Sequence, residues 1–245
     1  MNDDNDGVDA IDPRTPEPEV ARPRRLRWWL AGALAAALTT IWLVVIEPNL
    51  RAARINRNES AAIAALKNIS SAQAQMQAAG VNDGDGNGQG EYAFFGQLAG
   101  SALLRRPSGQ PPVRCDPPVL SARFGDVVDG RVRVGGYWFE MFLATADGEW
   151  VAERADQVHL VSIAESEVLW TCYAYPVELG VTGRRAFMTN QSGDVLMTNQ
   201  AGYAGDDRPE PGLAGFAYDG DPTWIVGARV AANTADAHGH TWVVG

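Results

Sequence analysis

The chain has 245 residues and two cysteines, enough length for one sizeable domain with appendages and too few cysteines for a disulfide-dense mini-protein. Hydrophobic residues at 46% and charged residues at 20% exclude a chain disordered throughout and a polytopic membrane protein. Lys+Arg 20 against Asp+Glu 30 gives a net charge of -10, which leaves no overall basic face for a nucleic acid partner.

Residues 1–27 hold four prolines, five arginines and seven acids. With almost no periodic apolar residues they cannot bury enough surface to fold, so a disordered cytoplasmic tail is expected. A solubilising, topogenic leader explains this composition better than a docking motif.

The run Trp28 to Ile46, WWLAGALAAALTTIWLVVI, carries no charge. It matches the ~20 residues needed to cross a hydrocarbon core, and Trp28, Trp29 and Trp42 suit the interfacial belts. A buried core helix would be shorter or amphipathic. A cleaved signal peptide would have a shorter apolar region, a shorter polar leader and a small-residue cleavage site where this chain has Glu47-Pro48. The reading is an uncleaved anchor over 28–46. Arg22, Arg24, Arg25 and Arg27 lie just before it and predict a cytoplasmic N-terminus, although Arg51, Arg54 and Arg57 follow on the far side. The protein is then a single-pass protein of the inner (cytoplasmic) membrane with a periplasmic or otherwise extracytoplasmic C-terminal domain. The first 27 residues carry a net -2 and the span none, so -8 of the -10 belongs to residues 47–245.

From Asn49 to Ala79 there is no Gly or further Pro, and Ala, Gln, Leu and Arg abound. Apolar residues recur at Ile55, Ala62, Ile63, Leu66, Ile69, Ala72 and Met76, on one helical face. A spine helix over 47–80 is expected, kinked near Pro48 and stopped at Gly80. Its apolar face needs a sheet to cover it; a free-standing coiled-coil stalk is the alternative.

Beyond Gly80 the pattern turns to β. Arg131 to Val134 and Tyr137 to Ala144 flank Gly135-Gly136, Val168 to Val177 alternates faces, and Arg185 to Asn190 and Val195 to Thr198 flank a turn at 191–194. Such short connections make antiparallel pairs. The result is an α+β domain whose β-rich part spans 81–200. Residues 201–245 form a Gly/Asp-rich extension, loosely ordered, with edge strands at 224–230 and 242–244.

This order of parts resembles the type IV pilin and type II secretion pseudopilin group. A single N-terminal span and a proline near its exit are followed by Asn58-Glu59-x-x-Ala62-Ile63-x-x-Leu66, a Gly-Asp-rich turn, Tyr92, Tyr137-Trp138-Phe139-Glu140 and Gly183-Arg184-Arg185-Ala186-Phe187. The similarity runs from about residue 28 to about 200. It implies a long spine helix on an antiparallel sheet and a role in filament assembly, secretion or surface structure. The departure is at the span, entered by Arg25-Leu26-Arg27-Trp28-Trp29 without the leader glycine or the glutamate at the fifth position that mark prepilin peptidase substrates. No processing is expected, and the charge contact that joins a pilin to its neighbour has no residue to make it.

The most chemical-looking stretch is Asn82 to Tyr92. With Asp83 as the first position of a calcium loop, Asp85, Asn87 and Glu91 fall at positions three, five and nine and Gly88 at six, although Phe94 stands where the bidentate Glu belongs. The alternative is a Gly-Asp turn that ends the helix and launches the sheet. Cys115 and Cys172 are expected to pair on the exported side, closing a separation of 57 residues for ~4 kcal/mol. Alternatively, Cys172 is a buried thiol on a face with Trp170 and Ala174, and Cys115 an unrelated loop thiol.

His159 sits in an apolar run expected to be buried, and His238 and His240 in the extension make a weak metal pair. No nucleophile turn, phosphate loop or dinucleotide fingerprint is present. The expectation is no enzyme and no cofactor beyond the calcium candidate. Two function classes follow: a pilin-like envelope component contacting pilus or secretion subunits, and a membrane-tethered module holding a glycan or envelope protein. The second would use Tyr137, Trp138, Phe139, Trp150, Trp170, Tyr173 and Tyr175, residue types that more often fill cores.

Overall fold

The computed structural model describes residues 24–200, 202–218 and 228–245. The tail before Arg24 and the residues 224–227 of the expected strand lie outside them. The chain divides into two compact units, residues 1–49 and 50–245.

In the first unit, α1 (Arg24–Ile41) runs into a π-turn, Trp42–Ile46, and α2 (Glu47–Ala79) begins directly after it. Every side chain from Arg27 to Ile46 is exposed. Thr39 and Thr40 do not break the apolar character, because their hydroxyls donate to the carbonyls of Ala35 and Ala36 at 2.9 Å. The π-turn falls where the kink at Pro48 was expected. Proline offers no N–H to the carbonyl four residues back and crowds it, and the wider turn moves that carbonyl aside. The Glu47 N–H accordingly reaches the carbonyl of Trp42, five residues back.

In the second unit α2 buries Ile55, Glu59, Ala62, Leu66, Ile69, Ala72, Gln73 and Met76, the predicted stripe with two polar residues added and with Ile63 only partly buried at its edge. It covers one face of a seven-stranded antiparallel sheet, not a coiled-coil partner. The strands are β1 (Arg131–Val134), β2 (Tyr137–Ala144), β3 (Trp150–Ala152), β4 (Trp170–Pro176), β5 (Ala186–Asn190), β6 (Leu196–Thr198) and β9 (Val243–Val244). Their order is β1-β2-β4-β5-β6-β9, with β3 also beside β2. The predicted hairpin closes as expected, with Phe187 opposite Met197 and Gly193 at φ +81° in its turn.

Alternation along the strands divides the sheet residues between two cores. Tyr137, Phe139, Met141, Leu143, Trp170, Cys172, Ala174 and Phe187 meet α2. Phe142, Tyr173, Tyr175, Ala186, Met188 and Leu196 face the other way and are equally buried. The second face is covered by Tyr203, Ala214, Phe216 and Trp242, all from the segment expected to be loosely ordered. That segment adds a two-stranded sheet of β7 (Phe216–Tyr218) and β8 (Ala228–Val230). The expectation of a loose tail is therefore corrected for the described residues: Gly, Asp and Pro density here marks a turn-built cover.

Candidate functional site

The first site to assemble is the top of α2, where the Gly-Asp loop begins. Gly80 leaves the helix at φ +60°, a left-handed stop. Asp83 accepts the backbone N–H groups of Gly86 at 2.7 Å and Gly88 at 3.0 Å. Although desolvation pushes the Asp83 carboxyl up, these bonds outweigh it and hold the group below its usual range. Asp85 accepts the N–H of Asn87 at 3.0 Å, and the Asn87 amide donates to Glu167 at 2.7 Å. Glu91 turns inward, fully buried, to an ion pair with Arg105 and the N–H of Gly84. The four calcium candidates thus bond to the loop's own amides, to Glu167 and to the part-buried Arg105. Among the described residues no group of three His, Cys, Asp or Glu side chains is arranged to hold a metal ion.

Around this loop stands a polar hub that periodicity did not reveal. Asn82 is buried and accepts the N–H of Arg105 at 2.7 Å. Burial lowers the Arg105 guanidinium's pKa, with the charge of Glu91 opposing. Gln73, on the helix, pairs with both backbone groups of Ala93, at 2.8 and 2.9 Å, replacing a strand partner. The loop is thereby fastened to α2, and the helix end is fixed to the start of the β-rich domain.

A second clamp lies lower on the spine. Asn58 donates to the carbonyl of Thr182 at 2.9 Å. Glu59 accepts the N–H of Arg184 at 2.9 Å and the guanidinium of Arg185 at 2.8 and 2.5 Å. A buried carboxylate is tolerated only when so satisfied. Close approach here requires Gly183, because a Cβ at that position would stand 2.1 Å from the Tyr137 hydroxyl oxygen. The Asn-Glu pair and the Gly-Arg-Arg loop, noted in the sequence as separate motifs, are one contact.

The cysteines do not pair. Cys115 and Cys172 are both free and buried, a correction to the expected disulfide. Cys172 lies mid-strand between Met141 and Thr189, and Cys115 sits in a loop with its thiol against the carbonyl of Pro117 at 3.4 Å. Burial raises the Cys172 thiol pKa well above its usual value. His159 is also corrected: it is exposed, in a short 3-10 turn Val158–Leu160.

In the extension the organising group is Asp236. One carboxylate oxygen accepts the Trp242 indole N–H at 2.7 Å and the N–H of Gly215 at 2.9 Å, and the other the N–H groups of His238 and His240 at 3.0 and 2.8 Å. His238 lies 3.4 Å from Glu210. Arg208 reaches from the same segment to Glu140 on β2 at 3.1 Å and to Asp129 at 2.9 Å. Burial raises the Glu140 carboxyl despite the arginine.

One more carboxylate is perturbed. Burial pushes Glu153 up to about 7, against the N–H groups of Gly96 and Phe95 that favour its charge. It receives the Gly96 N–H at 3.0 and 3.2 Å at the start of α3 (Phe95–Leu98). The aromatic residues of the binding-module reading are interior: Tyr137, Phe139, Trp170, Tyr173 and Tyr175 are buried, while Trp138 and Trp150 are partly buried against the second core. No family model, no curated protein and no solved structure matches the chain.

Proposed function

We propose that the protein is a single-pass membrane-anchored, pilin-like protein that serves as a structural or accessory component of a pilus or secretion-type envelope assembly. The observation that carries this reading is the continuity of one helical run, from an unburied apolar stretch, Trp28–Ile46, into a spine whose opposite end is packed on an antiparallel sheet. An exposed uncharged stretch of that length finds its solvent in a bilayer. The arginines before it favour an N-terminus retained in the cytoplasm and a domain on the far side. Glu59, bound to Arg184 and Arg185, and Gln73, bound to Ala93, would tie the spine to the β-rich domain that contacts neighbouring subunits.

The test is cross-linking in native membranes followed by affinity purification. The proposal expects pilus or secretion components to be cross-linked to the protein. A monomer without such partners, retained instead on an envelope polysaccharide, would support the tethered binding module. Burial of the sheet aromatics counts against that reading, since an aromatic platform needs exposed rings.

A further inference from the structure

A cavity of about 320 Å³ opens beside the last turns of α2, a volume at the lower end of pockets that hold small molecules. Its wall is largely apolar, with Met76, Val81, Leu104, Val113 and Cys115 lining it. Val81 is 40% exposed, so the apolar surface continues to the mouth. Arg106, Arg114 and Asp116 also line it, and all three are exposed. The rim therefore carries a net positive charge in a chain that is otherwise acidic. Arg106 is steadied by Gln110 at 2.8 Å, a neutral acceptor that leaves its charge uncompensated.

We infer that this cavity binds the alkyl chain of a free fatty acid, with the carboxylate held at the rim by Arg106 and Arg114. Apolar walls suit a chain, and two guanidinium groups at the opening suit an anionic head. A neutral amphiphile would gain the first and not the second. This inference is independent of the assembly role proposed above.

Cys115 reports on occupancy, because it lines the cavity at 9% exposure while Cys172 is at 0%. The full chain in phosphatidylcholine nanodiscs is treated with N-ethylmaleimide, and alkylation of each cysteine is followed by mass spectrometry. Dodecanoate at about ten times its dissociation constant should slow Cys115 alkylation on the order of ten-fold. Dodecanol should protect far less, and the surface variant Arg106→Gln/Arg114→Gln should lose the protection, measured against its own ligand-free rate. An unchanged Cys115 rate with dodecanoate would overturn the site. Equal protection by dodecanol, or in the double variant, would overturn recognition of the acid.

Discussion

The two faces of the sheet are covered by opposite means. On one, a 33-residue helix lays down an apolar stripe, and the few polar groups it buries, Glu59 and Gln73, are matched to backbone and guanidinium partners. On the other, a Gly- and Asp-rich segment whose described residues hold only short strands is held by polar hubs: Asp236 under Trp242, and Arg208 over Glu140. Both cores are equally closed to water. The difference teaches that a cover can be built from turns, provided its backbone donors find acceptors. The helix cover then depends chiefly on packing, and the turn cover on a few carboxylates.

Removing residues 202–245 breaks the comparison most severely. It would uncover Phe142, Tyr173, Tyr175, Met188 and Leu196, and the expected outcome is loss of cooperative unfolding with strong binding of a hydrophobic dye. A truncated domain that unfolds as sharply as the full chain would show that the second cover is dispensable. Leu66→Ala attacks the helix cover, where Leu66 is fully buried. It should cost about 3 to 5 kcal/mol in denaturant unfolding.

Asp236→Ala attacks the turn cover by orphaning the Trp242 indole N–H and the Gly215 N–H. The expected loss is about 3 kcal/mol, accompanied by a Trp fluorescence change that Trp242→Phe abolishes. A change that survives Trp242→Phe would deny that Asp236 acts through that indole.

Glu153 supplies the smallest effect and a pH signature. The unfolded chain releases this proton near the ordinary carboxyl value of 4.5, and the folded chain not until about 7. Stability therefore falls as pH rises through that window, and the loss is complete above it. Glu153→Gln should remove that slope and gain about 2 kcal/mol at pH 8. A variant with an unaltered pH profile of Tm would contradict the burial cost.

The helix face was legible because its signal is local: Ile55, Ala62, Leu66, Ile69, Ala72 and Met76 repeat at helical spacing, and each is buried. The hairpin at 186–198 was legible through its turn. Glu59 and Gln73 were not, since a polar residue on an apolar face is explained only by a partner more than a hundred residues away for Glu59 and a loop backbone for Gln73. The second face was missed for a related reason. Alternation in Trp170–Pro176 says that one side is apolar, but seven buried residues in a row require two covers, and the second comes from turns whose composition reads as loose chain. The loop's internal bonding was not legible either, because spacing places Asp83, Asp85 and Glu91 along a loop without saying that their oxygens turn to amides and to Arg105.

The proposal that the spine is anchored and unprocessed is tested most directly by the intact mass of the chain extracted from membranes, together with its resistance to carbonate extraction. The account predicts a carbonate-resistant chain whose mass includes the whole apolar run. A mature chain that begins within Trp28–Ile46, or one released by carbonate, would contradict it.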